Sequence, residues 1–422
     1  MHPTPKSLPP LYAGVVHSDC AYGGRHLADA FGRRPWWRTY GSAAAYEAAA
    51  AAGTEALPLV ALVDEYEEVA WERVLSPPHL TTSNYCVRKG LSRKANFARL
   101  MAKHAARCGG ACPLSHAVPA TEVIDTVPVF VSRPAMIDYA SAMAEALADA
   151  EEGMAAGGEG AAWILKPSLA NKGAEVYLVT TMDEVVAAIT EWRDVGQWVL
   201  QRYLPNPMLL GGRKFHLRVY VLADGALRGW VFQEALVLFA VERYTADLTA
   251  THAHITNTCV NVGHADWREA RYVRSTRDLP ALLVDAGLAP SLDAGVTATA
   301  ALWDAMNGVL HHAFAAMEGA HASYMPLPHA YELYGVDFLV DAAAGVHLLE
   351  FNPTPDIKQT GSRLDPLIAD MVEGVVAIGI DSRFPPPPDV PAYTPSAPSR
   401  VWRKVYDKEW PSAKGAINIS FK

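Results

Sequence analysis

The segment GVDFLVDAAAGVHLLEFNPTP (335–355) constrains the fold more than any other part of the sequence. Two runs rich in Val, Leu and Phe flank Ala342–Gly345, and this pattern predicts an antiparallel hairpin with a four-residue turn. Pairing around that turn places Asp337 directly opposite Glu350, so both side chains leave the same face of the sheet. Asn352 lies two residues beyond Glu350 and shares that face.

Three oxygen-bearing side chains on one sheet face predict a metal site. Two neighbouring carboxylates repel each other unless a cation lies between them. Asp337, Glu350 and Asn352 offer the hard oxygen ligands that Mg²⁺ prefers, commonly together with nucleotide phosphates. The alternative is a pair of carboxylates exposed at a sheet edge, but the apolar neighbours Val336 and Phe351 disfavour solvent exposure.

A second strand pattern collects positive charge. Lys214, His216 and Arg218 alternate with Phe215 and Leu217, so a period of two places the three polar side chains on one face. Three basic groups in a row repel each other unless they bind an anion. Phosphate is the natural candidate, because Arg218 can grip it with two parallel hydrogen bonds. An exposed strand face remains the alternative.

A lysine at the end of an apolar strand supports the same interpretation. Lys166 follows Trp163–Leu165, and a lysine in such surroundings usually meets an anion. The polar turn Asn171–Gly173 follows, and its backbone amides and Lys172 are suited to fold over phosphates. It is not a Walker A loop, because GxxxxGK[ST] is absent from the chain. Together with the carboxylate face, these groups predict a nucleoside triphosphate site.

Residues 88–107 form a basic block in an acidic chain. They contain seven Lys or Arg residues and no Asp or Glu, whereas the whole protein has a net charge of −9. Arg99, Lys103 and Arg107 are spaced four apart and therefore share one helix face. No aromatic stacking platform accompanies the block, so an acidic polypeptide is a better partner than nucleic acid. A solvated helix face is the alternative.

Composition excludes several classes of protein. The 422 residues are 50% hydrophobic and 19% charged, which is typical of a folded domain and not of a disordered or collagen-like chain. The negative net charge disfavours nucleic acid and membrane surfaces as partners. The sequence has five scattered cysteines, and it shows no apparent signal peptide and no long apolar run. These features predict a cytoplasmic protein, which could be microtubule-associated. Cys108 and Cys112 lack a second ligand pair nearby in sequence, so we interpret them as free thiols rather than zinc ligands.

Helix and strand patterns alternate along the chain and predict an α/β (α+β) fold with mixed sheets and flanking helices. A capping box at Thr181 and Glu184 marks one helix start, and Ser92 is the expected N-cap of another. FPPPPDVPAYTPSAP (384–398) predicts a rigid linker. The expected strands cover 57–64, 161–168, 174–179, 198–204, 214–223, 226–240, 335–341 and 346–352, and the expected helices cover 41–56, 92–107, 138–152, 181–194, 296–318 and 364–378.

These segments together resemble the tubulin–tyrosine ligase family, which belongs to the ATP-grasp superfamily. The resemblance is carried by SNYCVRKGLSRK, WILKPSLANKG, WVLQRYLPNPMLLGGRKFHLRVYVL, HITNTCVN and YELYGVDFLVD…VHLLEFNPTP, in this order. It implies an ATP-grasp fold in which mixed β-sheets flanked by helices clamp ATP, preceded by an N-terminal α/β domain. The implied domains are 1–75 (N-terminal α/β), 76–204 (central ATP-grasp), 205–384 (C-terminal ATP-grasp) and 385–422 (proline-rich linker and tail).

The resemblance also implies roles for individual residues. Mg²⁺ would be held by Asp337, Glu350 and Asn352, and the catalytic residues would be Lys214, Arg218 and Glu350. The expected ATP-binding set is Lys166, Lys172, Lys214, Asn257 and the hinge strand beside adenine, Gln201, Arg202, Tyr203 and Leu204. The expected set for the acceptor and its tail is His216, Arg218, Arg243, Arg88, Lys89, Arg99, Lys103 and Arg107.

The implied reaction adds an amino acid, with tyrosine as the leading choice, to the acidic C-terminal tail of α-tubulin. It uses ATP and Mg²⁺ and passes through an acyl phosphate. Two departures concern the acceptor end of the site: the family usually has Asp where His216 stands, and Leu238 stands at an expected Arg position. The alternatives are a tubulin polyglutamylase or glycylase, and a non-catalytic tubulin- or RNP-binding member of the family.

Overall fold

Three β-sheets with flanking helices make up the computed structural model. It describes residues 10–126, 133–158, 161–169, 176–192, 194–355, 357, 362–390, 394–397 and 400–408, with the side chains of 133–142 outside this set. The strands are β1 (Tyr12–Val16), β2 (Trp37–Tyr40), β3 (Leu59–Val63), β4 (Thr81–Thr82), β5 (Thr121–Asp125), β6 (Trp163–Pro167), β7 (Tyr177–Val179), β8 (Gln197–Arg202), β9 (Leu209–Leu210), β10 (Arg213–Asp224), β11 (Arg228–Phe232), β12 (Leu236–Phe239), β13 (Val273–Ser275), β14 (Tyr331–Val340), β15 (Val346–Pro353) and β16 (Trp402–Asp407).

The helices vary from single turns to elements of about seven turns. They are α1 (Ala21–Gly32), α2 (Ala43–Ala51), α3 (Trp71–Leu75), α4 (Lys89–Ser92), α5 (Lys94–Cys108), α6 (Leu114–Ala117), α7 (Arg133–Ala156), α8 (Met182–Glu191), α9 (Thr251–His254), α10 (Thr258–Asn261), α11 (Glu269–Tyr272), α12 (Leu279–Asp285), α13 (Leu292–Ala316) and α14 (Asp365–Val376). No helix in the described part of the chain is both long and apolar enough to cross a membrane.

The N-terminal sheet is parallel, with strand order β2-β1-β3-β4. A buried ion-pair network joins this part of the chain to the C-terminal helices. Arg34, just after α1, donates to Glu373 on α14 and to Asp381, each over 2.7 Å. The guanidinium is 3% exposed, so the network is sheltered from solvent and fixes the relative position of the two elements.

The other two sheets are antiparallel and flank the candidate site. The smaller one has the order β5-β8-β6-β7. In the larger one β10 is the central strand, pairing with β11, β12 and β14, while β14 also pairs with β15. Phe215 and Leu217 on β10 are fully buried in the main core, so the opposite face of that strand carries its polar side chains.

The β14–β15 hairpin pairs Asp337 with Glu350, as predicted, but not for the predicted reason. The turn holds one residue more than expected, because the last pair before it is Val340 with Val346 rather than Asp341 with Val346. A register shift between Asp337 and Phe338 leaves Leu349 without a partner on β14. This β-bulge offsets the longer turn and restores the predicted pairing of the carboxylates.

Other local predictions met mixed outcomes. The capping box is confirmed, since the Thr181 hydroxyl accepts from the Glu184 amide and the Glu184 carboxylate accepts from the Thr181 amide. The predicted cap at Ser92 is wrong: α5 begins at Lys94, and Ser92 is the last residue of α4, with its hydroxyl donating to the carbonyl of Arg88. The predicted single strand 226–240 is two strands, β11 and β12. Beyond the predicted linker 384–398, the tail contributes β16, a strand that was not predicted and that pairs with β11.

Candidate active site

A cleft of about 360 Å³ lies where β10, β14 and β15 of the large sheet face β6 of the smaller antiparallel sheet. It also receives residues from the loops after β3 and β4 and from the segment between α9 and α10. Its charged and polar lining includes nine of the nineteen predicted site residues: Lys166, Lys214, His216, Arg218, Asn257, Asp337, Glu350, Asn352 and Arg88. Strand alternation explains the set on β10, since Phe215 and Leu217 point into the core.

Asp337 and Asn352 form the centre of this cleft together with Arg218. The guanidinium of Arg218 holds the Asp337 carboxylate through two nitrogens, with Nη2 3.0 Å from Oδ2. The Asn352 amide donates to the same Oδ2 over 3.3 Å. Burial lowers the pKa of Arg218, but the Asp337 charge and hydrogen bond outweigh burial and raise it above its ordinary value. Arg218 therefore remains a cation at any physiological pH.

Glu350 is paired with two lysines from different parts of the fold. The Nζ atoms of Lys94 and Lys166 each lie 3.6 Å from Oε2 of Glu350. Burial alone would raise the pKa of Glu350, but Lys94, Lys166 and Arg218 together hold it at about 2. Lys166 also donates to Oε1 of Gln201 over 3.2 Å. The Glu350 carboxylate is thus an anion held between two lysine cations. This arrangement suits binding of a metal ion by the carboxylate, or of phosphates by the lysines.

Lys214 is a buried lysine whose contacts carry no negative charge. Its Nζ donates to the Tyr203 hydroxyl over 3.1 Å and lies 4.2 Å from the centre of the Tyr203 ring. The hydroxyl in turn contacts Nδ1 of His254 over 2.8 Å. Burial lowers the pKa of Lys214 to about 7. A lysine held near neutrality beside an open cleft is poised to gain its full charge when an anion arrives.

His216 stands beside Asp337, with Nε2 3.7 Å from Oδ1 of that carboxylate. Its Nδ1 contacts the Thr256 hydroxyl over 2.6 Å, whereas Nε2 has no hydrogen-bond partner among the described residues. Burial lowers the pKa of His216 to about 4. An ordinary imidazole pKa would have made its charge change between about pH 5.5 and 7.5. The buried imidazole is instead neutral throughout that range.

An apolar wall faces these charged groups. Ile164 and Val176 approach from the smaller antiparallel sheet, while Leu339 and Leu349 approach from the hairpin and Ile255 from the loop. Such a surface suits a flat heteroaromatic ring, whose faces pack on aliphatic side chains while its edges form hydrogen bonds. The cleft therefore offers aliphatic contacts as well as charged groups.

Several predicted residues lie elsewhere. None of Gln201–Leu204 lines the cleft. Gln201 accepts a hydrogen bond from Lys166, and the Tyr203 hydroxyl accepts one from Lys214, so both contact cleft residues from behind. Arg202 is exposed and donates to the Gly157 carbonyl over 3.3 Å. Arg243 is exposed and also outside the cleft lining. Lys172 and its turn lie outside the described residues.

The basic block does not form one surface. Arg88 is half-buried, pairs with the buried Glu332 and lies over the Tyr66 ring at 3.9 Å. Lys94 enters the cleft. The predicted helix face Arg99, Lys103 and Arg107 is exposed, as expected, but Arg99 is paired with Asp125 over 2.6 Å. Lys89 and Arg93 are exposed between the two cleft residues.

Lys94 was missed as a site residue by sequence reasoning, although a signal was present. It is the first residue of α5, follows Arg93 at the N-cap, and no acidic residue lies in the first helical turn. Cations are unfavourable at a helix N-terminus because of the helix dipole, so a compensating anion was to be expected. His254 and Thr256 gave no such signal, because their partners come from distant strands.

A second cavity of about 690 Å³ adjoins the cleft. Glu65, Thr354 and Pro355 line both cavities, so the two are neighbours. The second one lies at the carboxyl ends of β1, β3 and β4, where ligands of parallel sheets commonly bind. Its lining includes apolar side chains such as Leu333, Ile357 and Val372, and four carboxylates, Asp19, Asp64, Glu65 and Glu332.

The donor set around Asp337 fits a divalent cation. Two carboxylates and an amide supply hard oxygen atoms, and the unpartnered Nε2 of His216 adds a nitrogen toward the same carboxylate. Arg218, Lys94 and Lys166 neutralise the carboxylates here, which is the role a bound cation would share. Imidazole nitrogen is a softer ligand than carboxylate, so the set suits Mn²⁺ as well as Mg²⁺.

The sequence pattern of the tubulin-tyrosine ligase family matches residues 73–390. The chain belongs to this family. Similar family members include a probable tubulin–tyrosine ligase of Schizosaccharomyces pombe, 27% identical over 356 residues that cover 75% of this chain and 81% of that protein. A second is the probable tubulin–tyrosine ligase PBY1 of Saccharomyces cerevisiae, 26% identical over 74% of this chain and 44% of its own length.

The human protein monoglycylase TTLL8 is also similar, with 23% identity over 52% of this chain and 26% of its own length. Among solved structures, the C-terminal domain of K. lactis Pby1 aligns with a TM-score of 0.63 and 21% identity, covering 95% of this chain and 100% of that one. That domain is described as an ATP-grasp enzyme interacting with the mRNA decapping enzyme Dcp2. The ATP-grasp fold and the family together identify this tubulin-tyrosine ligase family member as an ATP-dependent ligase.

Proposed function

We propose that this family member joins an amino acid, tyrosine, to a carboxylate on the acidic C-terminal tail of α-tubulin. The observation that carries the proposal is the joint position of Asp337, Glu350 and four cations, Lys94, Lys166, Lys214 and Arg218, in one cleft. Arg88, Glu65 and Glu67 also line the cleft, so the whole lining holds five basic and four acidic residues, and this small excess of positive charge favours anionic ligands. A nucleoside triphosphate and a substrate carboxylate would supply the missing negative charge.

The proposed reaction has two steps. An oxygen of the tail carboxylate attacks the γ-phosphorus of ATP, the bond to the β-phosphate oxygen breaks, and ADP leaves. The amine of the incoming amino acid then attacks the carbonyl carbon of the acyl phosphate, inorganic phosphate leaves, and the nitrogen loses a proton. No protein nucleophile takes part, so the protein contributes by positioning and charge neutralisation.

The residues of the cleft have distinct roles in this scheme. Lys166 and Lys214 would neutralise the phosphates, while Arg218 would orient the reacting carboxylate with the N–H donors that Asp337 does not use. Asp337, Glu350 and Asn352 would hold Mg²⁺, which supplies charge neutralisation to the transferring phosphoryl group when bound. The neutral His216 would add little charge to this end of the site.

The position of adenine differs from the one implied by resemblance. The segment Gln201–Leu204 remains a predicted hinge, but Gln201 and Tyr203 contact Lys166 and Lys214 and do not themselves line the cleft. The apolar wall of Ile164, Leu339 and Leu349 lines the cleft itself. We therefore favour this wall as the surface on which the base packs.

The second cavity is our candidate for the amino acid. Asp19 and Glu65 would attract its ammonium group, and the apolar lining would accept an aromatic side chain. A glutamate side chain would meet like charge there, and glycine would leave most of the cavity unfilled. These two arguments favour tyrosine over the glutamylation and glycylation performed elsewhere in the family.

The proposal is tested by incubating the protein with detyrosinated tubulin, ATP, Mg²⁺ and all twenty amino acids. Mass spectrometry of the tubulin tails then measures which residue has been added. Addition of one tyrosine mass to α-tubulin supports it. Addition of glutamate or glycine would instead identify a glutamylase or a glycylase and contradict tyrosine as the amino acid. Unmodified tubulin in the presence of folded protein that binds ATP would contradict tubulin as the acceptor.

A second acceptor is favoured by one comparison. The K. lactis Pby1 domain covers nearly the whole chain and is described as interacting with a decapping enzyme. Of the two departures, His216 lines the cleft, whereas Leu238, its partner on β12, is buried in the core, so His216 is the one placed to contact a different protein tail. Repeating the experiment with a purified decapping complex of the same organism separates this acceptor from tubulin. A cytoplasmic location is common to both and remains a prediction.

A further inference from the structure

A cluster of two cysteines and two histidines lies outside the cleft. It consists of His104, Cys108, Cys112 and His312, whose nearest nitrogen and sulfur atoms all lie within 4.8 Å of one another. Nε2 of His104 is 3.3 Å from Nδ1 of His312 and 3.2 Å from Sγ of Cys108. Sγ of Cys112 is 3.9 Å from Nδ1 of His312.

These separations match those between the ligands of a tetrahedral zinc ion. Zn–N and Zn–S bonds of about 2.0 and 2.3 Å place two nitrogens about 3.3 Å apart, nitrogen and sulfur about 3.6 Å apart, and two sulfurs about 3.8 Å apart. The observed nitrogen–nitrogen and nitrogen–sulfur distances lie within a few tenths of an ångström of these values. Small rotations of the side chains would complete the geometry.

The fold brings the four ligands together for identifiable reasons. His104 and Cys108 are four residues apart and share one face of α5. Gly109 follows in a left-handed conformation with φ of 77°, which ends the helix, and the Cys112 amide donates to its carbonyl over 3.0 Å. This turn returns Cys112 to the helix face. His312 comes from α13, which packs against α5.

The free-thiol interpretation drawn from sequence considered two ligands, and the structure supplies four. His104 and Cys112 are 7% and 2% exposed, so the polar groups of the cluster are largely removed from water. Cys108 is exposed and His312 is half-buried, which leaves a route for an ion to enter. Two thiolates and two imidazoles around one point form the composition of a closed structural zinc site.

We propose that His104, Cys108, Cys112 and His312 bind one Zn²⁺ ion that joins α5 to α13. Binding replaces the thiol protons of Cys108 and Cys112 with Zn–S bonds and releases both protons to solvent. The two imidazoles coordinate as neutral ligands, so the site has no net charge. The proposal is independent of the reaction assigned to the cleft.

The test uses the full chain without a polyhistidine tag, reduced and then supplied with Zn²⁺ or Co²⁺ alone. We expect about one equivalent of tightly bound zinc by elemental mass spectrometry. With Co²⁺ we expect the visible ligand-field bands of a tetrahedral ion and a near-ultraviolet thiolate charge-transfer band. Cys108→Ser should lose about half of that charge-transfer intensity, because one of the two thiolates is gone.

Matched variants make the assignment specific. Cys108 and His312 have solvent access, so Cys108→Ser and His312→Asn should keep the fold while losing at least tenfold in metal affinity. Cys20→Ser is the control, because Cys20 caps α1 by accepting from the Gly23 amide over 3.5 Å and serine can do the same. It should bind metal like the wild type.

Three results would overturn the proposal. They are less than half an equivalent of zinc in the reduced, folded protein, undiminished binding by both ligand variants, or a Cys108–Cys112 disulfide in protein isolated under non-reducing conditions. Each is measured independently of ATP-dependent activity.

Discussion

The Nζ atom of Lys94 on α5 lies 3.6 Å from Oε2 of Glu350 on β15. This contact joins a helix from the basic block to the hairpin that carries the carboxylates. Lys166 approaches the same oxygen from the smaller sheet at an equal distance. Glu350 is therefore the residue at which three parts of the fold meet.

The first prediction concerns the charge of Glu350. Glu350→Gln should keep the fold and lower turnover by at least about 100-fold, as when an electrostatic catalytic group is removed. Asp341→Asn is the control, because Asp341 caps the tip of the same hairpin by accepting from the Ala343 and Gly345 amides. That change should cost about 1 kcal/mol of stability and leave turnover near normal. Near-normal ligation by folded Glu350→Gln would refute the assignment.

The second prediction concerns the protonation of Lys214. Its pKa is lowered by burial to about 7, so above that pH the free protein carries mostly neutral Lys214. Phosphates would raise this pKa, so ATP binding at pH 8 should take up close to one proton. The dissociation constant for ATP should rise with pH above 7, by up to about tenfold per unit.

Calorimetry of ATP binding in buffers of different ionisation enthalpy measures this proton. Lys214→Arg is the matched variant, because a guanidinium stays charged at pH 8 and should abolish the uptake. Equal proton uptake by the wild type and the variant would show that Lys214 does not meet the phosphates.

The third prediction concerns stability and His216. Its pKa is lowered by burial from 6.5 to about 4, so between these values the unfolded chain binds a proton that the folded chain does not. The free energy of unfolding should therefore rise with pH through this window, by up to about 3 kcal/mol, and fall as the solution is acidified. His216→Asn should show a shallower rise in urea titrations. If the free energy of unfolding depends on pH equally in both proteins, the pKa of His216 is not lowered on folding, and the prediction is wrong.

The fourth prediction separates two basic surfaces as binding sites for an acidic tail. Lys89 and Arg93 are exposed and flank cleft residues, whereas Lys103 lies nine residues beyond Lys94, roughly 13 Å along α5. Reversing Lys89 and Arg93 to Glu should raise KM for the tail, most strongly at low salt, because screening acts over about 8 Å at physiological ionic strength. Lys103→Glu with Arg107→Glu is the control pair. A larger effect of the control pair would assign the tail to the helix face.

The fifth prediction tests the second cavity. Glu65 lines the second cavity as well as the cleft. Glu65→Gln should raise KM for the amino acid several-fold, because a carboxylate that attracts the ammonium group is lost, and should change the ATP affinity less. Glu67→Gln provides the control, since Glu67 lines the cleft but not the second cavity. Equal effects of the two variants on amino-acid KM would argue against an amine site at Glu65.

Periodicity was the reliable part of the sequence analysis. Alternation along β10 identified Lys214, His216 and Arg218 as one face, because the buried side chains between them leave no other arrangement. The pairing of Asp337 with Glu350 was also correct, although the bulge was not foreseen. Bulges depend on local packing and leave no regular sequence pattern.

Long-range contacts could not be predicted in this way. The position of Lys94 at a helix N-terminus indicated a nearby anion, but the partner, Glu350, could be identified only once the fold placed the two residues together. His312 joins Cys108 and Cys112 only after α13 packs on α5. Burial also changed the expected chemistry, since the low pKa of His216 comes from its enclosure and not from its sequence neighbours.

The unpaired Leu349 has a consequence for how the cleft recognises its ligand. Neighbouring residues of a regular strand point to opposite faces, yet Leu349 and Glu350 both line the cleft. Two neighbouring residues thereby place an aliphatic side chain and a carboxylate next to each other in the cleft. This suits a nucleotide, which has an aromatic base and charged phosphates. Deleting Leu349 would leave Asp337 opposite Glu350 and remove the aliphatic contact, so a one-residue deletion should weaken selection of the base more than metal binding.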